Sequence, residues 1–189
     1  CGKAINKAKV VKHMLKACQQ ARKLTLTGVK PVVFGHEVVG LPPTTLLKIR
    51  SAVVGALGIK KPGGCATTAM AIHGYLPYDP LVTLRCEVVV AFLAAVVSSH
   101  LKLTLKHQWE DMLAKFCCPQ RWHKVTGPAG ATISTLLYVG WAPNDLDSWV
   151  DPSGEKWILD YSDPLIVQQF KHVFLPSLQS AIWQQFGAQ

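Results

Sequence analysis

Apolar residues recur at intervals of three and four along most of this chain, a spacing that predicts helices. Over residues 3–24 the stripe is Ile5, Val10, Val11, Met14, Leu15 and Cys18, with lysines between them. Gly28 and Pro31 end that pattern. Val32, Val33 and Phe34 then predict a short strand or extended turn closed by Gly35. After Pro42 and Pro43, Thr44 is expected to cap a second helix through Leu46, Leu47, Ile49, Val53, Val54 and Leu57, stopping at Gly58. Lys48 and Arg50 fall on its polar side. Residues 58–65 are read as a flexible basic surface loop, and a short helix follows over 66–73.

Asp79-Pro80 is a helix start, with a capping side chain followed by proline at the first helical position. The helix it opens runs to about Ser99. Its apolar residues, from Leu81 to Val97, cannot share one stripe, so it is predicted to be the central core helix. Another helix is expected over 105–118, burying Trp109, Met112, Leu113 and Phe116. Pro128 opens a helix ending at Gly140-Trp141. The runs on either side of Asp151-Pro152-Ser153-Gly154 predict a β-hairpin in which Trp149 faces Trp157. Asp163-Pro164 repeats the helix-start device. The last helix, predicted to break at Pro176, presents Phe170, Phe174, Leu178, Ile182 and Trp183, an aromatic surface that needs covering.

The resulting fold class is mostly α, a helical core with a small C-terminal helix–β-hairpin module. Residues 1–120 are read as a basic N-terminal helical domain and 121–189 as a helix–hairpin–helix module. A length of 189 residues suffices to bury a full core, and a hydrophobic share of 49% excludes wholesale disorder. The longest uninterrupted apolar run, Val88 to Val97, is about half a membrane span, so no transmembrane segment is expected. Cys1 opens the chain without an initiator Met, and the residues are read as part of a longer product.

Charge changes the picture most. Eight Lys or Arg precede the first acid, Glu37. Residues 1–61 carry +11, residues 62–139 carry +2 and residues 140–189 carry −4. An exposed helix ordinarily mixes signs, so an acid-free basic end predicts a surface for a polyanion. The candidate phosphate contacts are Lys3, Lys7, Lys9, Lys12, Lys16, Arg22, Lys23, Lys30, Lys48, Arg50, Lys60 and Lys61. Arg121 and Lys124 flank Trp122 in a basic-aromatic patch suited to stacking. The acidic end, residues 140–189, is expected to meet other protein subunits.

Catalytic signals are poor. His36-Glu37 opens like a zinc-protease helix, but position 40 is Gly where the second histidine belongs. The seven histidines show no ligand spacing, and GxSxG and the phosphate-loop motif are absent. Asp145, Asp147 and Asp151 suit turns and caps. Cys65, Cys117 and Cys118 are conceivable nucleophiles, but no motif activates them. The six cysteines form no CxxC pair and are read as thiols of a reducing, intracellular compartment. No enzyme activity, metal or cofactor is expected.

Val33-Phe34-Gly35-His36-Glu37-Val38-Val39-Gly40-Leu41, followed by Leu46, Leu47, Ile49, Arg50 and Ala56-Leu57, resembles a stretch of non-LTR retrotransposon polyproteins. That stretch lies just after the reverse-transcriptase palm, in the thumb and connector. Gly127-Pro128, Gly140-Trp141 and the Trp149–Trp157 pattern look like the linker that follows in some protist elements. The likeness covers about residues 1–160. It implies a basic helical region that grips template and primer. It implies no polymerase activity, because the paired aspartates of the palm have no counterpart and Tyr78-Asp79-Pro80 is a helix start. The expectation is a retroelement-derived, non-catalytic RNA-binding structural protein within a larger assembly, such as a mitochondrial ribonucleoprotein. The alternative is a protein-only scaffold subunit of a respiratory or photosynthetic complex.

Overall fold

The computed structural model describes residues 2–14, 35–59, 65–72, 79–99, 102–116 and 124–186. Among these, helices predominate: α1 (Gly2–Met14), α2 (His36–Val39), α3 (Pro43–Ala56), α4 (Ala66–Ile72), α5 (Pro80–Ser98), α6 (Lys102–Lys115), α7 (Gly127–Tyr138) and α8 (Ile166–Phe186). Three short strands, β1 (Ala142–Pro143), β2 (Ser148–Val150) and β3 (Lys156–Ile158), form one antiparallel sheet in that order. The mostly α class with a small C-terminal sheet is the observed one.

The chain groups into two compact units. The first comprises residues 1–35, 41–83 and 182–189; the second comprises 36–40 and 84–181. This is not a cut near residue 120. Helix α6 packs on α7 within the second unit, so the chain on both sides of that point shares one core.

In the first unit, α3 buries Leu46, Ile49, Val53, Val54 and Ala56, while α1 buries Ala8 and Val11. Pro42, not Thr44, sits at the start of α3, and no side chain caps it. Pro43 takes the first helical position, where a missing N–H costs nothing because no partner exists there. The start of α5 behaves as predicted: the Leu81 N–H donates to Asp79 Oδ1 at 2.9 Å. The predicted extension of α1 to residue 24 and the segment at 32–34 lie outside the described residues.

The second unit is built on aromatic rings. Trp109 of α6 is stacked between Phe92 of α5 and Trp149 of β2, with centroids 5.3 and 5.6 Å away. Phe170 of α8 meets Trp149 edge-on at 4.9 Å and stacks on Phe174 at 5.4 Å. Trp141 then sets its ring edgewise to both phenylalanines. Such pairs add about 0.5–1.5 kcal/mol each beyond the area they bury. The hairpin has the predicted register, Trp149 opposite Trp157. Its loop is tied by Asp151, whose Oδ1 accepts from the backbone N–H groups of Ser153 and Glu155 and from the Ser153 hydroxyl. Gly154 supplies the left-handed turn at φ +91°.

One expectation about α8 needs correction. Helix α8 runs through Pro176 without ending there. Pro176 is exposed, and Phe174 and Leu178 on either side of it are fully buried, which outweighs one lost backbone hydrogen bond. Most of the aromatic surface of α8 is therefore covered within the chain, leaving Trp183 partly exposed. Helix α5 is the one described helix that is long and apolar enough, by length and composition, to cross a membrane. Just over half of it is buried inside the protein, and Arg85 and Glu87 interrupt it with partners of their own.

Candidate functional site

Helices α1 and α3 pack side by side and enclose an open groove of about 380 Å³. Each helix contributes one row. On α1 it is Ile5, Ala8, Lys9 and Lys12; on α3 it is Lys48, Ser51, Ala52 and Gly55. Both rows step i, i+3, i+4, i+7, which is one continuous face of a helix. Small side chains at Ala8, Ala52 and Gly55 make the floor. A side chain built at Gly55 would meet nothing within 4 Å, so this is open space rather than a close helix crossing.

Lys9, Lys12 and Lys48 converge on this groove and are exposed. Among the described residues, no carboxylate pairs with any of them. Lys3 and Lys7 are also exposed, but they share the outer face of α1 with Val10 and Met14. The basic helix thus presents two surfaces, not one. Lys124 is exposed in the second unit. Lys16, Arg22, Lys23, Lys30, Lys60, Lys61 and Arg121 lie outside the described residues.

Arg50 does not belong to the surface set. It is 4% exposed, and its Nε donates to Asp79 Oδ2 at 2.8 Å while a terminal nitrogen donates to the Thr67 hydroxyl. Asp79 is wholly buried. Burial pushes its carboxyl above the usual carboxylate range, against the opposing pull of the Arg50 charge and the Leu81 N–H. The guanidinium is thus committed to holding α3 to the start of α5. The sequence reading set Arg50 with Lys48 on the polar side of the helix, but residues two apart point in nearly opposite directions, and the two project to different sides of α3.

The second unit buries another arginine. Arg85, 8% exposed, stacks its guanidinium over Tyr138 with Cζ 3.2 Å from the ring centroid. Its Nε has no hydrogen-bond partner among the described residues, and burial lowers its pKa to about 10. Nearby in sequence, Glu87 approaches the Nε2 of His36 at 3.1 Å. That contact explains His36: it is a buried residue of the one-turn helix α2, closed by Gly40 at φ +66°.

Of the remaining sequence candidates, Cys117 and Cys118 lie outside the described residues. Asp145 accepts from the Leu146 N–H and faces Lys106 Nζ at 3.4 Å. Asp151 organises the hairpin loop as described. Cys65, a reduced thiol ahead of α4, is held below its usual pKa by hydrogen bonds from Thr68, side chain first and backbone second. No group of three His, Cys, Asp or Glu able to hold a metal occurs among the described residues.

Sequence reasoning found the lysines and missed their convergence. The signal was present in Lys48-x-x-Ser51-Ala52-x-x-Gly55, a small-residue row beginning with a cation. No family model, curated protein or solved structure matches this chain, so the reading of the groove rests on its geometry and chemistry.

Proposed function

We propose that this is a non-catalytic RNA-binding protein that grips the phosphate backbone through α1 and α3 as part of a larger assembly, in keeping with the retroelement-like resemblance of its sequence. The observation that carries the reading is that Lys9, Lys12 and Lys48 line one groove with no neutralising carboxylate among the described residues. Three cations lining one groove make a positive potential that attracts an anion. Lys3 and Lys7 widen the footprint on the outer face of α1.

Salt titration of RNA binding tests the reading. Neutralising the five described lysines of α1 and α3 releases a matching number of counterions. The logarithm of the binding constant then falls against log salt with a slope of about −3.5 to −4.5. A slope near −1 would contradict phosphate contact by these helices.

A protein-only scaffold is the second reading. It is favoured by exposed apolar side chains in the C-terminal part, where Ile158 is 72% and Leu165 56% exposed. Association with other subunits that survives nuclease treatment, together with absent RNA binding, would establish it in place of the first.

A further inference from the structure

The groove between α1 and α3 has a chemistry narrower than "basic". Reading a base demands either a flat ring to stack on it or a side chain that matches its edge with paired donors and acceptors. Among the described residues, the lining contains no aromatic side chain and no Asn, Gln, Asp, Glu or Arg. Arg50, the one arginine of α3 and so its one planar fork for a bidentate contact with guanine, is turned inward to Asp79 and Thr67. What remains is three ammonium groups, each a compact charge with rotating donors, over a floor of small residues. That set suits phosphate oxygens, and contacts of this kind position a strand without distinguishing its sequence.

We infer that the α1–α3 groove recognises the phosphodiester backbone alone and is blind to base identity. This rests on the nucleic-acid reading given above. The rows from i to i+7 are about 10 Å long at 1.5 Å per residue. A short stretch of one strand can therefore lie along them, between Lys9 and Lys12 on one side and Lys48 on the other. Any polyphosphate chain shares this chemistry.

The test uses the full chain and fluorescence anisotropy with equal-length oligo(U), oligo(A) and oligo(C), plus inorganic polyphosphate as competitor. The dissociation constants for the three oligomers are expected to agree within about threefold, and polyphosphate displaces all three. K9Q/K12Q/K48Q lowers the steepness of the salt dependence by about 2–3 for every oligomer, the share of three phosphate contacts. Gly55→Glu enters open space, so the fold (checked by circular dichroism) is kept while all three oligomers weaken by the same factor. A preference above tenfold for one base that disappears in K9Q/K12Q/K48Q would overturn base blindness and leave the nucleic-acid reading standing. Binding to no oligomer, or a salt slope unchanged in the triple variant, would instead overturn that underlying reading.

Discussion

Each unit of this protein buries an arginine, and the two are handled differently. In the first unit, Arg50 meets a carboxylate and a hydroxyl, so its donors are used and its charge is compensated. In the second, Arg85 meets the face of Tyr138 and leaves Nε without an acceptor among the described residues. The first unit contains slender, small-residue helices around its groove, and a paired buried charge fixes α3 against the start of α5. The second has an interlocked set of tryptophans and phenylalanines. The comparison teaches that a buried arginine is structural in proportion to what it would leave unpaired, not to how deeply it sits.

Removing Asp79 should be the harshest way to test that contrast. Asp79→Ala strands the Arg50 charge and also uncaps α5, and a loss of about 4–6 kcal/mol is expected in denaturant unfolding. Replacing Arg50 and Asp79 together with Met and Leu should recover much of that loss, because no buried charge is then left alone. In the second unit, Trp109→Ala removes the ring between Phe92 and Trp149 and should cost about 3–5 kcal/mol, with collapse of the near-ultraviolet circular dichroism.

Arg85→Met should lie far below both. It gives up a cation–π contact but also the burden of a desolvated guanidinium, so stability is expected to stay within about 1 kcal/mol of the parent. A loss comparable to that of Asp79→Ala would show that Arg85 has an anchoring role and would erase the distinction between the two arginines. The smallest effect concerns the hairpin. The Ser153 hydroxyl, with the backbone N–H groups of Glu155 and Ser153, holds the Asp151 carboxyl below the usual carboxylate range. The folded form therefore keeps this carboxylate ionised to lower pH than the unfolded chain. Its contribution is complete above the ordinary carboxylate pKa and is lost as pH falls through the lowered one. Amide exchange at Ser153 and Glu155 should quicken over that acidic range, and Asp151→Asn should abolish the change.

Local devices were the most legible part of the fold. The Asp79-Pro80 start, the Asp151–Gly154 loop and the opposition of Trp149 and Trp157 each follow from a few adjacent residues whose side chains satisfy nearby backbone groups. The Pro176 prediction failed because local cost was weighed without knowing how much Phe174 and Leu178 bury. The site was legible by composition only. An acid-free lysine pattern gives a strongly positive region, yet it does not say which lysines meet.

By itself, then, the order of residues determined the helical class, the hairpin and the positive character of the amino-terminal part. These depend on periodicity, turn chemistry and net charge, which act over a few residues or simply add. Tertiary structure alone decided that Lys48 joins Lys9 and Lys12 while Arg50 turns inward, that Asp79 serves both a helix end and an ion pair, and that Arg85 rests on a ring. Those outcomes depend on which distant faces pack together, and a side chain two positions along a helix points some 200° away from its neighbour.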